Sequence, residues 1–401
     1  MKARHKLIFL AQSFSLGLLL PVQSLMLRAR GCTLPALGLA VAAYAIAVIA
    51  AEVPSGIFAD LCGRKTAYLV SCGLSVASSA VLLFAASFAA AAAGLALAGL
   101  SVAFASGSAE ALILEEEAEQ SGAEGMKRAI SSLRVCEGAG LTAGAVAGGF
   151  LPGGNGYAAH LLARMALAMA LGVFACFALR ERPDARREGP GFRQHVARMG
   201  EMLGKRELAF LLAGVAAIAL PQFLLETYWQ PRLGALPGGG IQALFGLLCA
   251  AGFGATAAGS FFAGRIKALA KRGVPAYFAS GAAFALLLAL LATQGKAAGF
   301  AAAYLAVYLA IGAMSVLEQV NANALVENNV RASMLSLVSF TARAGGVAAG
   351  FAGAALLGAF DVSSIWRLGA LFTLGALSII ALSRRLRMKK QGASASLPDQ
   401  T

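Results

Sequence analysis

The sequence contains twelve apolar runs, each long enough to cross a bilayer as an α-helix, which takes about 20 residues. β-Barrel strands would show short alternating patterns instead. Charged residues make up only 13% of the 401 positions, whereas hydrophobic residues make up 59%. A soluble protein carries roughly 25% charged residues. We therefore predict an all-α membrane protein with twelve transmembrane helices, at 7–28, 35–58, 66–87, 89–113, 129–151, 158–180, 207–230, 241–264, 274–294, 298–322, 333–358 and 363–383.

The longest polar segment, with Pro183, Pro190 and many charges, separates the runs into two sets of six. This division predicts an N-terminal six-helix bundle (1–180), a cytoplasmic linker (181–206), a C-terminal six-helix bundle (207–385) and a disordered cytoplasmic tail (386–401). With the N-terminus inside, 25 of the 33 Lys and Arg residues fall in inner segments. Since positive charge collects on the cytoplasmic side, both termini are predicted to be cytoplasmic. The net charge of +14 then reflects topology and contact with anionic lipids, and it does not indicate nucleic acid.

The most specific motif lies between the second and third spans, from Gly56 to Lys65. Gly56 and Gly63 permit a tight turn between helices, and Asp60, Arg64 and Lys65 place both signs of charge beside helix ends. Asp60 could bond helix ends of the other bundle in one conformation and release them in another. An ordinary solvated turn is the alternative.

This stretch resembles the signature loop of the major facilitator superfamily, G-x-L-A-D-r-x-G-R-K, with Phe58 and Leu61 as departures. The resemblance implies two pseudo-symmetric six-helix bundles. A weaker copy runs from Gly259 to Lys267 between the eighth and ninth spans, with Ala263 at the position of Asp60. The weaker copy supports two repeated halves. Because it lacks the aspartate, any charged contact that switches between conformations would belong to the first half.

The fifth span carries Gly140, Gly144, Gly148 and Gly149, which are similar to the G-x-x-x-G-P-x-x-G-G motif of exporter branches of that superfamily. Glycines four residues apart let a neighbouring helix approach closely. Ala145 replaces the proline, and a generic small-residue packing face is the alternative interpretation. The stretch from Glu52 to Asp60 likewise resembles the E-x-P-x-G-x-x-A-D form of drug-exporter-like members. The arginine expected early in the fourth span is Leu95 here.

Charged side chains inside a bilayer cost about 2.5–3.5 kcal/mol on insertion scales, so retained ones are candidates for function. A carboxyl group in an apolar cavity can take up a proton near neutral pH, which suits a proton-coupled transporter. Alternatives are a structural ion pair within the fifth span and an aromatic interfacial belt at the end of the seventh. The candidates for proton or substrate binding are Glu52, Arg134, Glu137, Glu226, Trp229, Glu318 and Arg343.

No catalytic or metal-binding constellation is predicted, and no phosphate-binding loop is present. The resemblance implies a secondary active transporter in the bacterial cytoplasmic membrane that works as a monomer without a cofactor. It implies proton-coupled export (antiport) of small amphipathic or cationic compounds. A lipid or lysophospholipid flippase, a siderophore or metabolite exporter, and a non-transporting receptor or assembly partner are the alternatives.

Overall fold

The computed structural model describes residues 2–179, 206–265, 273–325 and 331–395, and every regular element in this part of the chain is helical. The predicted linker lies almost wholly outside the described residues. The helices are α1 (Ala3–Leu19), α2 (Gln23–Ala29), α3 (Leu34–Cys62), α4 (Arg64–Phe84), α5 (Phe88–Ala105), α6 (Ala109–Phe150), α7 (Gly154–Ala178), α8 (Arg206–Gly234), α9 (Gln242–Arg265), α10 (Val274–Ala292), α11 (Ala297–Ala324), α12 (Arg331–Leu356) and α13 (Val362–Ala395).

The first predicted span is broken by a 3₁₀ turn at Leu20–Val22, between α1 and α2. Pro21 has no backbone N–H and therefore interrupts the regular helical hydrogen bonding. The break leaves the carbonyl of Leu20 and the amide of Ser24, which would pair in a continuous helix, free to bond elsewhere.

Helix α6 reverses direction within its length, at Gly122, where the backbone has φ +64° and ψ −163°. The side chains of Glu110 and Arg134 are in contact, although 24 residues of straight helix would separate them by about 36 Å. The fourth span was predicted to continue to residue 113. In the structure α5 ends at Ala105 and Glu110 lies in α6, although the apolar segment that could cross a membrane continues from Phe88 to Gly122.

The last helix extends to Ala395, whereas the sequence predicted a disordered tail from residue 386. Residues 386–395 thus lie in the helix, and the boundary of the tail stays a prediction. Helical hydrogen bonds propagate residue by residue once a stable span precedes them, so a polar segment can continue the helix.

Ten helical segments among the described residues are long and apolar enough to cross a membrane. The predicted spans at 129–151 and 333–358 are not among them, so the count of twelve stays a prediction. These two segments contain Arg134, Glu137 and Arg343 together with many small residues. Each nevertheless packs closely against two other helices, α6 against α1 and α9, and α12 against α3 and α8.

The helices of residues 2–179 (the first half) and of residues 206–395 (the second half) pack with one repeated pattern. In the first half α1 contacts α6 and α7, α4 contacts α5 and α7, and α3 contacts α5. In the second half α8 contacts α12 and α13, α10 contacts α11 and α13, and α9 contacts α11. Between the halves, α3 packs on α12 and α6 packs on α9.

The glycines of the predicted fifth span lie against α1. A Cβ atom at Gly144 would lie 2.9 Å from the Cα of Gly17, and one at Gly148 would lie 2.9 Å from the carbonyl carbon of Leu18. Gly140 meets the backbone of Leu10 in the same way. Any larger side chain at these positions would force α1 and α6 apart, so these glycines determine the distance between the two helices.

Candidate functional site

A cavity of about 440 Å³ lies between the two halves. Its walls come from α1 to α5 and α7 in the first half and from α8, α9, α11 and α12 in the second. This volume is within the range of pockets that enclose small organic ligands.

Among the described residues, three charged side chains line the cavity: Arg164 on α7, Glu226 on α8 and Arg343 on α12. Arg164 is only 8% exposed, and its Nε has no hydrogen-bond partner among the described residues. The Nε of Arg343 is also buried without a partner in this part of the chain. Glu226 is exposed to the cavity, and its Oε1 accepts a hydrogen bond from Gln222 Nε2 at 3.1 Å.

Aromatic side chains form the second-half wall of the cavity. The ring centroid of Tyr304 lies 5.0 Å from that of Trp229 and 4.4 Å from that of Tyr308. Phe223 and Phe253 extend this apolar surface. Rings at such distances attract one another, so the wall is a rigid platform beside the charged groups.

One end of the helices, called the closed end, joins the two halves through backbone contacts without charges. A Cβ atom at Gly38 on α3 would lie 2.6 Å from the carbonyl oxygen of Gly350 on α12. A Cβ atom at Gly149 on α6 would lie 2.6 Å from the Cα of Gly246 on α9. Only glycine permits these approaches.

Gln230 on α8 completes the closed end at the break between α1 and α2. Its Oε1 accepts from the backbone N–H of Ser24 at 2.9 Å, and its Nε2 donates to Leu20 O at 2.6 Å. The hydroxyl of Ser24 donates to Thr227 O at 2.6 Å. The amide side chain therefore satisfies both groups that the interrupted helix leaves unpaired.

The opposite end, called the loop end, carries the turn between α3 and α4. Gly63 adopts φ +98°, a conformation that favours glycine, and α4 begins at the next residue. Arg64 pairs with Glu115 on α6 at 2.7 Å, and Lys65 Nζ donates to Cys176 O on α7 at 2.7 Å. Asp60 is exposed and has no hydrogen-bond or ion-pair partner among the described residues.

Residues 7–349 match the family model of the Major Facilitator Superfamily. The chain belongs to this superfamily. It is similar in structure to the nucleoside transporter NupG (TM-score 0.79, 14% identity, covering 94% of this chain and 98% of that one). It is also similar to the POT family transporter PepTSo (TM-score 0.74, 13% identity, 97% and 99%) and to a bacterial homolog of the human lysosomal transporter Spinster, solved inward-facing and occupied (TM-score 0.69, 14% identity, 95% and 96%). No curated protein matched the sequence.

Membership in the Major Facilitator Superfamily makes the chain an integral membrane transporter rather than an enzyme. At 13–14% identity, the similar structures establish the shared fold and leave the substrate open.

Among the predicted proton- or substrate-binding residues of this superfamily member, Glu226, Trp229 and Arg343 line the cavity. The structure does not bring Glu52 or Glu318 into that lining; Glu318 instead accepts a hydrogen bond from Tyr277 at 3.1 Å.

Arg134 and Glu137, also predicted, lie outside the cavity lining as well. Arg134 pairs with Glu137 at 2.7 Å and with Glu110 at 2.6 Å, so these residues form a three-membered ion cluster within α6. The arrangement agrees with the structural alternative considered for this pair.

The sequence reasoning missed Arg164 as a site residue. The signal was present, because an arginine lay well inside a predicted apolar span, where retained charge is uncommon. It has no acidic neighbour three or four residues away that could mark a local pair.

Proposed function

We propose that the chain is a secondary active transporter that carries a small organic molecule by alternating access. In this proposal twelve helices form two six-helix bundles with both termini cytoplasmic, and the central cavity is the substrate site. The observation that carries it is a cavity walled by both halves and bounded by close but uncharged contacts between them. The repeated helix pairing supports two equivalent bundles that rock against each other.

The closed end faces the outside in this proposal, because α3 and α4 join at the loop end, beside the basic residues assigned to the cytoplasm. The structure then represents an inward-facing state. Export and proton coupling follow from the sequence resemblance and belong to the proposal.

Spin-label distance measurements in nanodiscs test alternating access without knowledge of the substrate. In a background without other cysteines, one pair of labels replaces Ser87 and Thr293, which follow α4 and α10 at the closed end. A second pair uses Cys62 and position 265 at the loop end. We expect two populations at each pair, with the short distance at one end accompanying the long distance at the other. A single fixed distance at both ends under all conditions would contradict the proposal.

Glu226 is proposed as the proton-binding group, because it is the carboxylate of the cavity lining. Glu226→Gln removes the titrating proton while it preserves the shape of the side chain. We expect the variant to lose the pH dependence of flux in proteoliposomes, whereas Glu318→Gln, outside the cavity, retains it. An unchanged pH dependence in Glu226→Gln would assign proton coupling to another group.

A further inference from the structure

In the part of the chain that the structure describes, more positive than negative side chains line the cavity. Arg164 and Arg343 contribute two positive charges, and Glu226 contributes one negative charge. The arginines come from opposite halves, because α7 belongs to the first and α12 to the second. Whatever binds here therefore meets a surface with an excess of positive charge.

Neither arginine has an ion-pair partner among the described residues. Arg164 is 92% buried, its exposed fraction being 8%, and the Nε atoms of both arginines lack hydrogen-bond acceptors there. A buried guanidinium without a partner is costly, as at Arg164, so an acidic group in the cavity would supply a counter-charge that the described residues give to neither arginine. Glu226 does not fill this role, since its described hydrogen bond comes from Gln222.

The rest of the lining favours an apolar body. Trp229 and Tyr304 present adjacent rings, and Phe223, Phe253 and Leu95 add uncharged surface. A planar or aliphatic group would bury its surface against these side chains while an acidic group reached the arginines.

We propose that the cavity recognises a small organic anion, whose acidic group binds Arg164 and Arg343 and whose apolar body packs against the aromatic wall. This proposal rests on the proposed function in taking the cavity as the substrate site. It differs from the sequence prediction of cationic compounds, because a cation would enter beside two arginines and one carboxylate. An anion held by both arginines also links the two halves directly.

The test compares probes that differ only in charge: 3-phenylpropionate, 3-phenylpropionamide and 3-phenylpropylamine, together with their naphthyl equivalents. Binding to the full chain in nanodiscs is measured by thermal shift and calorimetry in a buffer without competing carboxylates or phosphate. We expect a carboxylate probe to bind about tenfold or more tightly than its amide, and the amine to bind most weakly. Arg164→Gln and Arg343→Gln should each remove the preference for carboxylate and leave amide binding unchanged.

Arg232→Gln is the matched control, because Arg232 lies on α8 outside the cavity lining and donates to Gln294 O at 3.1 Å. It should retain the preference. Equal or tighter binding of the amine, no carboxylate-dependent binding by any probe, or a preference that survives both cavity substitutions would overturn the proposal. Flux of the probes in proteoliposomes separates the two proposals. Selective binding of the anion without flux would contradict the proposed transport but not anion recognition. Flux of the amine without flux of the carboxylate would contradict anion recognition but not transport.

Discussion

At the closed end, residues of the two halves meet through glycines and uncharged hydrogen bonds, whereas the loop end is rich in ion pairs within the first half. Gly38 faces Gly350 and Gly149 faces Gly246 at the closed end. At the loop end, Arg64 on α4 pairs with Glu115 on α6. The hydrogen bonds that join described residues of opposite halves all lie at the closed end.

The two ends differ in what it would cost to separate their contacts. Glycine contacts and neutral hydrogen bonds can be exposed to water without leaving a buried charge unpaired. Ion pairs at the loop end instead connect α1, α4 and α6, since Lys2 and Glu116 also pair there. In the proposed mechanism these ion pairs hold the first half as one body while its contact with the second half opens.

The largest expected effect comes from adding a side chain at the closed end. A Cβ atom at Gly246 would lie 2.6 Å from Ala145 O and 2.6 Å from the Cα of Gly149, and backbone atoms cannot move aside as a flexible side chain can. Gly246→Val should abolish the short distance between labels at positions 87 and 293 and stop transport. Gly254→Val, on the same helix with no atom within 4 Å of its Cβ position, is the control and should behave like wild type. A retained short distance in Gly246→Val would show that the glycine contact does not close this end.

A smaller effect is expected when the neutral hydrogen bonds of the closed end are removed. Gln230→Leu leaves Leu20 O and Ser24 N–H unpaired, and an unsatisfied buried group costs about 1–3 kcal/mol. We expect the closed population at the 87–293 pair to fall about tenfold, which corresponds to about 1.4 kcal/mol. Thr373→Val is the control, because the buried hydroxyl of Thr373 donates to Ala217 O and Gly369 O at 3.0 Å, both within the second half and away from the labels. An equal fall in both variants would indicate a general loss of stability.

The sequence was informative wherever one local property decided the outcome. The apolar runs predicted several helices to within a few residues, as at α3, expected at 35–58 and found at Leu34–Cys62. Gly63 marked the turn before α4, and Gly144 marked the close approach of α1. These features depend on hydropathy or on the absence of a side chain. Both properties are visible in the sequence at each position.

The sequence could not predict in this way which side chains line the cavity, because this depends on how each helix is rotated against its neighbours. Glu52 and Glu226 are both carboxylates within predicted spans, yet only Glu226 lines the cavity. The bond between Gln230 and Ser24 joins residues 206 positions apart. Such contacts are fixed by tertiary packing, and no local pattern records them.

At the loop end, Asp60→Asn tests whether the motif contributes to switching. Asp60 is exposed in this structure, and in the proposed mechanism it meets the second half when the loop end closes. A charge near a helix end contributes about 0.3–1 kcal/mol, so we expect transport to fall about two- to fivefold while membrane insertion is unchanged. Wild-type rates in proteoliposomes would remove the loop from the switching mechanism.

The smallest effect is expected for the ion cluster of α6, which contrasts with the neutral contacts because its members all belong to one half. The Arg134 side chain is 56% exposed, and exposed ion pairs such as those with Glu110 and Glu137 contribute about 0.2–1 kcal/mol. Arg134→Gln should change the 87–293 distance populations less than about twofold. The double variant Arg134→Gln with Glu137→Gln should show the same distance populations as Arg134→Gln. The ion pair that both variants remove lies within the first half and does not connect the two halves. A large shift in either variant would mean that the fold-back of α6 at Gly122 takes part in opening, and that the first half does not move as a single unit.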